Sequence, residues 1–348
     1  MTIPTPPPST RLDDGLRHRL RQLSTRFNGP RAGAFHRALG FDYGVLMLTI
    51  GAMTALSFGP AFWLLLPLAW LIIAARQHAI LVLLHDATHG LAHPRRGWNE
   101  VIGELACGAP MFVTMSKYRK DHLAHHRELN SAADPDWVRK LGSTAEARFW
   151  QFPLSTSASR FLLWSWFGSV CYLLRSFTHL SAGTTAGGEA AVATSPGYIR
   201  PLRTGLYLGL AGALTVFGGW LLFLLLWVAP VLLVLPLIMR IRSIAEHFAL
   251  PNEQPLNASR NVVCGPLEAF LLAPHNVNLH LDHHLLPGVS FTELPALHRS
   301  LQEAPGYAAA AHQNDGYFLG ARTLLHDMLG RESTTRKQPS KLGRSVPA

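Results

Sequence analysis

Residues 61–89 have the sequence AFWLLLPLAWLIIAARQHAILVLLHDATH, an apolar stretch that ends in two histidines. Residues 61–84 are long enough for one helix across the ~30 Å hydrocarbon core of a membrane, which needs ~20 residues. The spacing of His85 and His89 places both side chains on one face of such a helix. The stretch therefore predicts a membrane-spanning helix that carries two imidazoles, the commonest metal ligand, at its end.

Two long segments of the chain lack charged residues altogether. Residues 43–75 and 204–239 contain no Asp, Glu, Lys or Arg, and each segment is too long for one membrane helix. Turn signals lie near the middle of each, at Ser57-Phe58-Gly59-Pro60 and at Phe217-Gly218-Gly219. We therefore predict spans at about 43–58, 61–84, 203–217 and 220–239, which form two hairpins.

The basic residues all lie on one side of these hairpins. Seven of the 31 Lys and Arg residues precede residue 43, fourteen lie between residues 76 and 203, and ten follow residue 239. By the positive-inside rule, the N-terminus, the middle segment and the C-terminal part are cytoplasmic. The predicted fold class is an all-α membrane protein, with four transmembrane helices in two hairpins and a cytosolic, helical, histidine-rich cap.

The composition agrees with this fold class, because 48% of the 348 residues are hydrophobic and only 15% are charged. We expect residues 1–40 to be a disordered, basic N-terminal segment with a membrane-surface helix within 11–38. Residues 41–328 would be the membrane domain and 329–348 a disordered basic tail. The net charge of +10 suits a surface that faces anionic lipid or an acidic electron-carrier protein. The sequence contains no module of basic and aromatic residues that would indicate nucleic-acid binding.

Further histidine clusters follow the first along the chain. The motif HLAHH occupies residues 122–126, HLDHH occupies 280–284, and a single histidine follows Glu246. Nine imidazoles are too many for one metal but suit two metals with four or five ligands each, and imidazole is a ligand for Zn, Cu, Fe or Ni alike. The candidate metal ligands are His85, His89, His122, His125, His126, His247, His280, His283 and His284.

Polar residues in or beside the motifs are candidates for holding these ligands in place. Asp86, Glu246 and Asp282 are expected to accept the second ring N–H of a ligand, with a plain capping or solvent-facing role as the alternative for the two aspartates. A similar outer position is possible for three residues just before the last motif, which are His275, Asn276 and Asn278. Six further histidines in polar or loop contexts are expected at the surface: His18, His36, His179, His298, His312 and His326.

The motifs HDATHG, HLAHH and HLDHHLLPG, with His247 between the last two, resemble the membrane fatty acid desaturase superfamily over roughly residues 40–310. The resemblance implies a non-haem di-iron site held by the nine histidines, with O2 as co-substrate. It also implies two electrons from a ferredoxin or cytochrome b5 type donor. We expect that donor to be a separate protein, since the haem-binding motif HPGG is absent from the chain.

The resemblance favours an enzyme of a bacterial inner membrane that inserts a double bond into a fatty acyl chain of a membrane lipid. A hydroxylase or a carotenoid ketolase on the same di-iron scaffold is the alternative. A metal transporter is a third interpretation, but it predicts histidines within the spans, whereas these clusters lie at the span ends or beyond them.

Overall fold

The computed structural model describes residues 12–131, 133–136, 166, 195–248, 250 and 255–328. Within these ranges the chain is mostly helical, and one pair of short strands is present. The predicted tail 329–348 and the first eleven residues lie outside the described part. Helix is therefore confirmed as the main secondary structure of the described chain.

The first predicted hairpin consists of α2 (Ala32–Ala55) and α3 (Pro60–Thr88). The break falls at the predicted turn, where Ser57 and Phe58 have positive φ angles of 47° and 59° and Pro60 begins the next helix. Proline suits this position because the first turn of a helix needs no N–H donor. α2 begins before residue 43, and both helices are long and apolar enough to cross a membrane.

α3 has 29 residues, which gives a length of about 43 Å at 1.5 Å per residue. Its first half exposes Trp63, Leu64 and Leu68, whereas nearly every residue from Ala74 to Thr88 is buried within the protein. At this length α3 exceeds the ~30 Å thickness of a hydrocarbon core, and its buried residues lie towards its C-terminal end. That end carries His85.

The second pair of helices is α6 (Ile199–Val216) and α7 (Trp220–His247), joined at Gly218, whose φ is 64°. α7 is irregular, with a π-helical turn at Leu224–Val228 and further short helical segments before His247. α7 is long and apolar enough to span a membrane, as are α2 and α3, but α6 does not meet the same criteria. The structure thus has three candidate spans among its described residues, and the predicted fourth span is not confirmed.

Between the two pairs, the chain folds back in short helical segments. α4 (Arg96–Val101) continues through a π-helical segment, Ile102–Gly108, and a short 3-10 turn, Ala109–Met111. α5 (Met115–Arg127) then follows and carries the motif HLAHH. The buried side of this region packs on α3 through Cys107, Met111 and Met115, which places α5 beside the end of α3.

The C-terminal part is a set of short elements that covers the same end of the long helices. Strand β1 (Arg260–Val262) pairs in parallel with β2 (His312–Asn314), with Asn261 opposite Gln313. The helices of this part are α8 (Pro266–Leu272), α9 (His280–Leu285), α10 (Leu294–Gln302), α11 (Pro305–Ala310) and α12 (Leu324–Met328).

The N-terminal α1 (Asp14–Phe27) corrects the prediction of disorder for the residues that it covers. Asp13 caps the helix by accepting a hydrogen bond from the backbone N–H of Leu16 at 3.3 Å. The apolar side of α1 is buried in a cluster that includes Leu297 and Leu301 of α10. The apolar side of α1 is therefore covered by protein. The prediction that this helix lies on the membrane surface is wrong in this respect.

Candidate metal centre

The nine histidines of the motifs converge at one place, where four helix ends meet. They form two groups, and within each group the potential ligand atoms lie within 4.8 Å of one another. The first group consists of His85, His89, His122, His126 and His283. The second consists of His125, His247, His280 and His284.

Helical geometry explains how each of two motifs contributes histidines to both groups. His122 and His126 are four residues apart on one face of α5 and belong to the first group, while His125 points to the second. In α9 the pattern is reversed, because His280 and His284 belong to the second group and His283 to the first. α5 and α9 thus each supply histidines to both groups. α3 supplies ligands only to the first group and α7 only to the second.

The distances between ring nitrogens suit metal binding. The Nε2 atom of His122 lies 2.8 Å from that of His89 and 3.0 Å from that of His126. In the second group, Nε2 of His247 lies 3.2 Å from that of His125 and 3.1 Å from that of His280. Two imidazoles that bind one metal at about 2.1 Å, 90° apart, have nitrogens about 3.0 Å apart.

The hydrogen-bond partners of the second group leave lone pairs that face each other. His125 Nδ1 lies 2.9 Å from a carboxylate oxygen of Asp134, and His247 Nδ1 lies 3.2 Å from the carbonyl oxygen of Ala258. Both partners are acceptors, so each Nδ1 carries the proton and each Nε2 offers a lone pair. Two lone pairs 3.2 Å apart repel unless a cation lies between them. The residues therefore fit a metal ion.

Imidazoles that bind a metal must be neutral, and burial favours the neutral form of several of the nine. Burial, followed by the neighbouring histidines, lowers the pKa of His122, His280 and His283 well below its ordinary value. Burial and then Arg119 lower the pKa of His89 to about 4, and burial and then His89 lower that of His126 to about 2. In the first group His85 is 3% exposed, and neither ring nitrogen has a hydrogen-bond partner among the described residues.

A carboxylate that the motif search missed holds one of the ligands. Both carboxylate oxygens of Asp134 contact His125 Nδ1, at 2.9 and 3.0 Å, and they also accept the backbone N–H groups of Asn130 and Asp136. Asp134 is fully buried. Its signal in the sequence is the Asp-Pro-Asp turn that closes the helix of the second motif.

Two of the predicted carboxylates lie beside ligands. Asp86 Oδ1 is 3.4 Å from His85 Nδ1, and Asp86 Oδ2 accepts the backbone N–H of Phe291 at 3.0 Å. Glu246 Oε1 is 3.6 Å from His280 Nδ1 and 2.6 Å from Arg242 Nε. Both distances to histidine exceed a normal hydrogen bond, so these carboxylates are near the ligands without the direct contact that Asp134 makes.

The other predicted outer residues point elsewhere, which corrects the expectation for each. Asp282 contacts His298 Nδ1 at 2.7 Å and the hydroxyl of Tyr307, not a histidine of either group. His298, expected at the surface, is thus part of a buried network. His275 Nε2 lies 2.7 Å from Asp42 on α2. The two asparagines, Asn276 and Asn278, donate to the backbone carbonyls of Phe291 and Val262.

Buried polar contacts connect α5 to the elements around it. Arg119 of α5 makes a bidentate contact with Glu100, at 2.7 and 3.2 Å, and donates to the carbonyl oxygen of Thr88 beside His89. Glu104 accepts the first backbone N–H of α5, that of Met115, at 2.8 Å, and also pairs with Arg203 of α6. A bidentate pair constrains orientation as well as distance, so Arg119 fixes α5 relative to α4, and its bond to the Thr88 carbonyl joins α5 to α3.

Fold and site together define the class of protein. It is a mostly helical chain with apolar helices long enough to cross a membrane, and histidines from four helices form two groups that can hold metal ions. A sequence model described as fatty acid desaturase matches residues 61–315. The chain therefore belongs to the fatty acid desaturase family.

Several proteins named as desaturases are similar to this chain over most of its length. The dihydrorhizobitoxine desaturase of Bradyrhizobium elkanii is 28% identical over 80% of this chain and 78% of its own. The sphingolipid delta(4)-desaturase of Drosophila melanogaster is 26% identical over 68% and 67%. The chloroplastic omega-6 fatty acid desaturase of Glycine max is 23% identical over 74% and 61%. The chain is thus a desaturase-type oxidoreductase.

Proposed function

We propose that the two histidine groups hold two iron ions and that the protein inserts a double bond into a fatty acyl chain of a membrane lipid, with O2 as oxidant. The observation that carries this proposal is the convergence of five and four imidazoles, buried or half-buried, beside the ends of the two apolar helices α3 and α7. Membership of the fatty acid desaturase family supports iron over the other metals that imidazole binds.

The reaction requires a strong oxidant, because an unactivated methylene has no acidic proton for an ordinary base to remove. The bound iron pair supplies the activation of O2 that such a C–H bond needs. Two hydrogens leave the acyl chain, and with O2, two electrons and two protons they give two molecules of water. The nine imidazoles contribute ligand nitrogens, and their enclosure by α3, α5, α7 and α9 excludes bulk water.

For the membrane arrangement, we propose that α2, α3, α6 and α7 all span the bilayer and that the histidine groups face the cytoplasm. α6 exposes a series of large apolar side chains, which include Leu202, Leu206, Leu208, Leu210 and Val216. An exposed apolar surface of this extent suits contact with lipid. The distribution of basic residues supports the cytoplasmic side for the site.

The electrons would enter from a separate acidic carrier protein that docks beside α5. Lys117, Lys120 and Arg127 are exposed and share one side of α5, whereas the histidines of the same helix lie on its opposite side. A cationic stripe on the helix that serves both histidine groups is complementary to an acidic ferredoxin-like or cytochrome b5-like surface. Such a position keeps the carrier within the width of one helix, about 10 Å, of the ligands.

The decisive experiment is expression in a host with saturated lipids, together with a matched electron donor. Mass spectrometry of the lipids should show products two hydrogens lighter than their precursors, and a His125→Ala variant should make none. Products that gain oxygen instead would replace the desaturase by the hydroxylase or ketolase alternative. Metal analysis of the purified protein should find two irons per chain. Zinc alone, with no desaturated product, would contradict the proposal.

A further inference from the structure

Residues 258–261, the segment that leads into and begins β1, contact the elements that carry the second histidine group, although the segment supplies no histidine itself. Ser259, Arg260 and Asn261 are fully buried. Complete burial of polar side chains costs free energy unless hydrogen bonds compensate for it, so the hydrogen bonds of this segment show what it holds in place.

The segment first holds the end of α7, where His247 lies. The carbonyl oxygen of Ala258 accepts from His247 Nδ1 at 3.2 Å, and Ser259 Oγ donates to the carbonyl oxygen of Glu246 at 3.1 Å. Arg260 donates to the carbonyl oxygen of Phe248. The contacts of Ser259 and Arg260 satisfy carbonyl groups at the C-terminus of α7, where carbonyl groups have no partner within the helix.

The same segment also reaches His125 through the turn that follows α5. Asn130 Nδ2 donates to the carbonyl oxygen of Ala258 at 2.8 Å, and the backbone N–H of Asn130 donates to Asp134 at 2.9 Å. Asp134 in turn holds His125. One carbonyl oxygen, that of Ala258, therefore joins the supports of two ligands in the second group.

At its other end the segment holds the start of α9. Asn261 Oδ1 accepts the backbone N–H groups of Leu281 and Asp282, at 3.0 and 3.4 Å. Its Nδ2 donates to Asp282 Oδ1 at 2.9 Å and contacts the Tyr307 hydroxyl at 2.8 Å. α9 has only six residues, and so short a helix is not stable by itself in water. Asn261 acts as a helix cap that comes from a different part of the chain.

We propose that residues 258–261 position the second histidine group, with Asn261 as the main positioning residue. The inference rests on the proposed metal centre. α9 supplies two of the four histidines in the second group, His280 and His284, but one of the five in the first group, His283. Loss of the Asn261 contacts leaves the first group with four well-placed ligands and the second with two. The second metal is therefore lost first.

The test compares Asn261→Leu with Tyr307→Phe in the full-length protein in detergent. Leucine has nearly the shape of asparagine but neither donates nor accepts hydrogen bonds. Phenylalanine removes a hydroxyl from the same buried network without touching the backbone of α9. Each protein is loaded with Fe²⁺ anaerobically, dialysed against a weak chelator and analysed for iron per chain, and its metal-free thermal unfolding is recorded.

We expect two irons per chain in the wild type and in Tyr307→Phe, and one in Asn261→Leu. The second iron should bind at least tenfold more weakly in that variant, in the range usual for residues that hold metal ligands. Retention of both irons at wild-type affinity would overturn the inference. So would the simultaneous loss of both irons, or an equal loss in Tyr307→Phe.

Asn130→Asp is a second variant, in case Asn261→Leu does not fold. It keeps the shape and tolerates the positive φ of 54° at this position, but replaces the donor to Ala258 by a carboxylate oxygen. The second iron should again be lost selectively, and wild-type iron binding would refute the role of the segment. A wild type that binds no metal would contradict the proposed function, whereas unchanged variants of a two-iron wild type would contradict only this inference.

Discussion

Replacement of Asp134 by Asn should weaken the second metal site and leave the first intact. The carboxylate accepts from His125 Nδ1 and from two backbone N–H groups. Asparagine has the same shape as aspartate, but it replaces one carboxylate oxygen by an NH2 group. That group is a donor and cannot accept from the ring N–H of His125 or from a backbone N–H. Loss of a carboxylate that holds a metal-ligating histidine typically costs 10–100-fold in metal affinity, which corresponds to about 1.4–2.7 kcal/mol.

The assay for Asp134→Asn is a titration of the metal-free protein with Fe²⁺ in the presence of a competing chelator. The wild type should bind two ions, and the variant should bind one at wild-type affinity and one about 10–100-fold more weakly. Glu128→Gln is the matched control, because Glu128 lies in the same turn but only pairs with Arg127 at the surface and should change neither step. Unchanged binding of both ions to Asp134→Asn would refute the reasoning, as would an equal weakening of both.

Three further predictions test other parts of the structure. The double variant Lys117→Glu/Lys120→Glu should lower kcat/KM for an acidic electron donor about tenfold at low salt, with the difference shrinking as salt is added; an unchanged kcat/KM places the docking surface elsewhere. Asp42→Asn leaves Arg76 buried without its carboxylate partner and should destabilise the protein by about 3–5 kcal/mol in thermal unfolding, whereas Arg322→Gln, which breaks an exposed pair, should change stability little. The metal-free protein should lose stability as the pH falls below about 6.5. The buried histidines have lowered pKa values in the folded state, so the unfolded chain takes up protons first. A melting temperature that stays constant from pH 7.5 to 5.5 contradicts this prediction.

The parts of the fold that follow from local sequence could be predicted well. The turn at Ser57–Gly59 and the apolar helices on each side of it are consequences of hydrophobicity and backbone preference over a few residues. The nine histidines were found for the same reason, because spacings of three and four residues place side chains on neighbouring positions of one helix. The fourth span at α6 is less apolar, and the structure leaves it as a proposal.

The outer contacts of the site could not be predicted, because they join residues far apart in the chain. Asp282 lies inside a histidine motif yet contacts His298, whereas Asp134 lies outside every motif and contacts His125. His275 is five residues from His280 but pairs with Asp42 of α2. α1 has the composition of a surface helix, and only the position of α10 shows that its apolar side is covered.

The sequence by itself determined that the chain has apolar helices of membrane length and nine imidazoles in ligand spacing, because both properties depend on neighbouring residues alone. It also determined that one metal ion could not bind all nine imidazoles. Only the tertiary structure decided how they divide. HLAHH on α5 and HLDHH on α9 each contribute histidines to both groups. Which side chain reaches which group depends on the orientation of these helices, and contacts distant in sequence set that orientation.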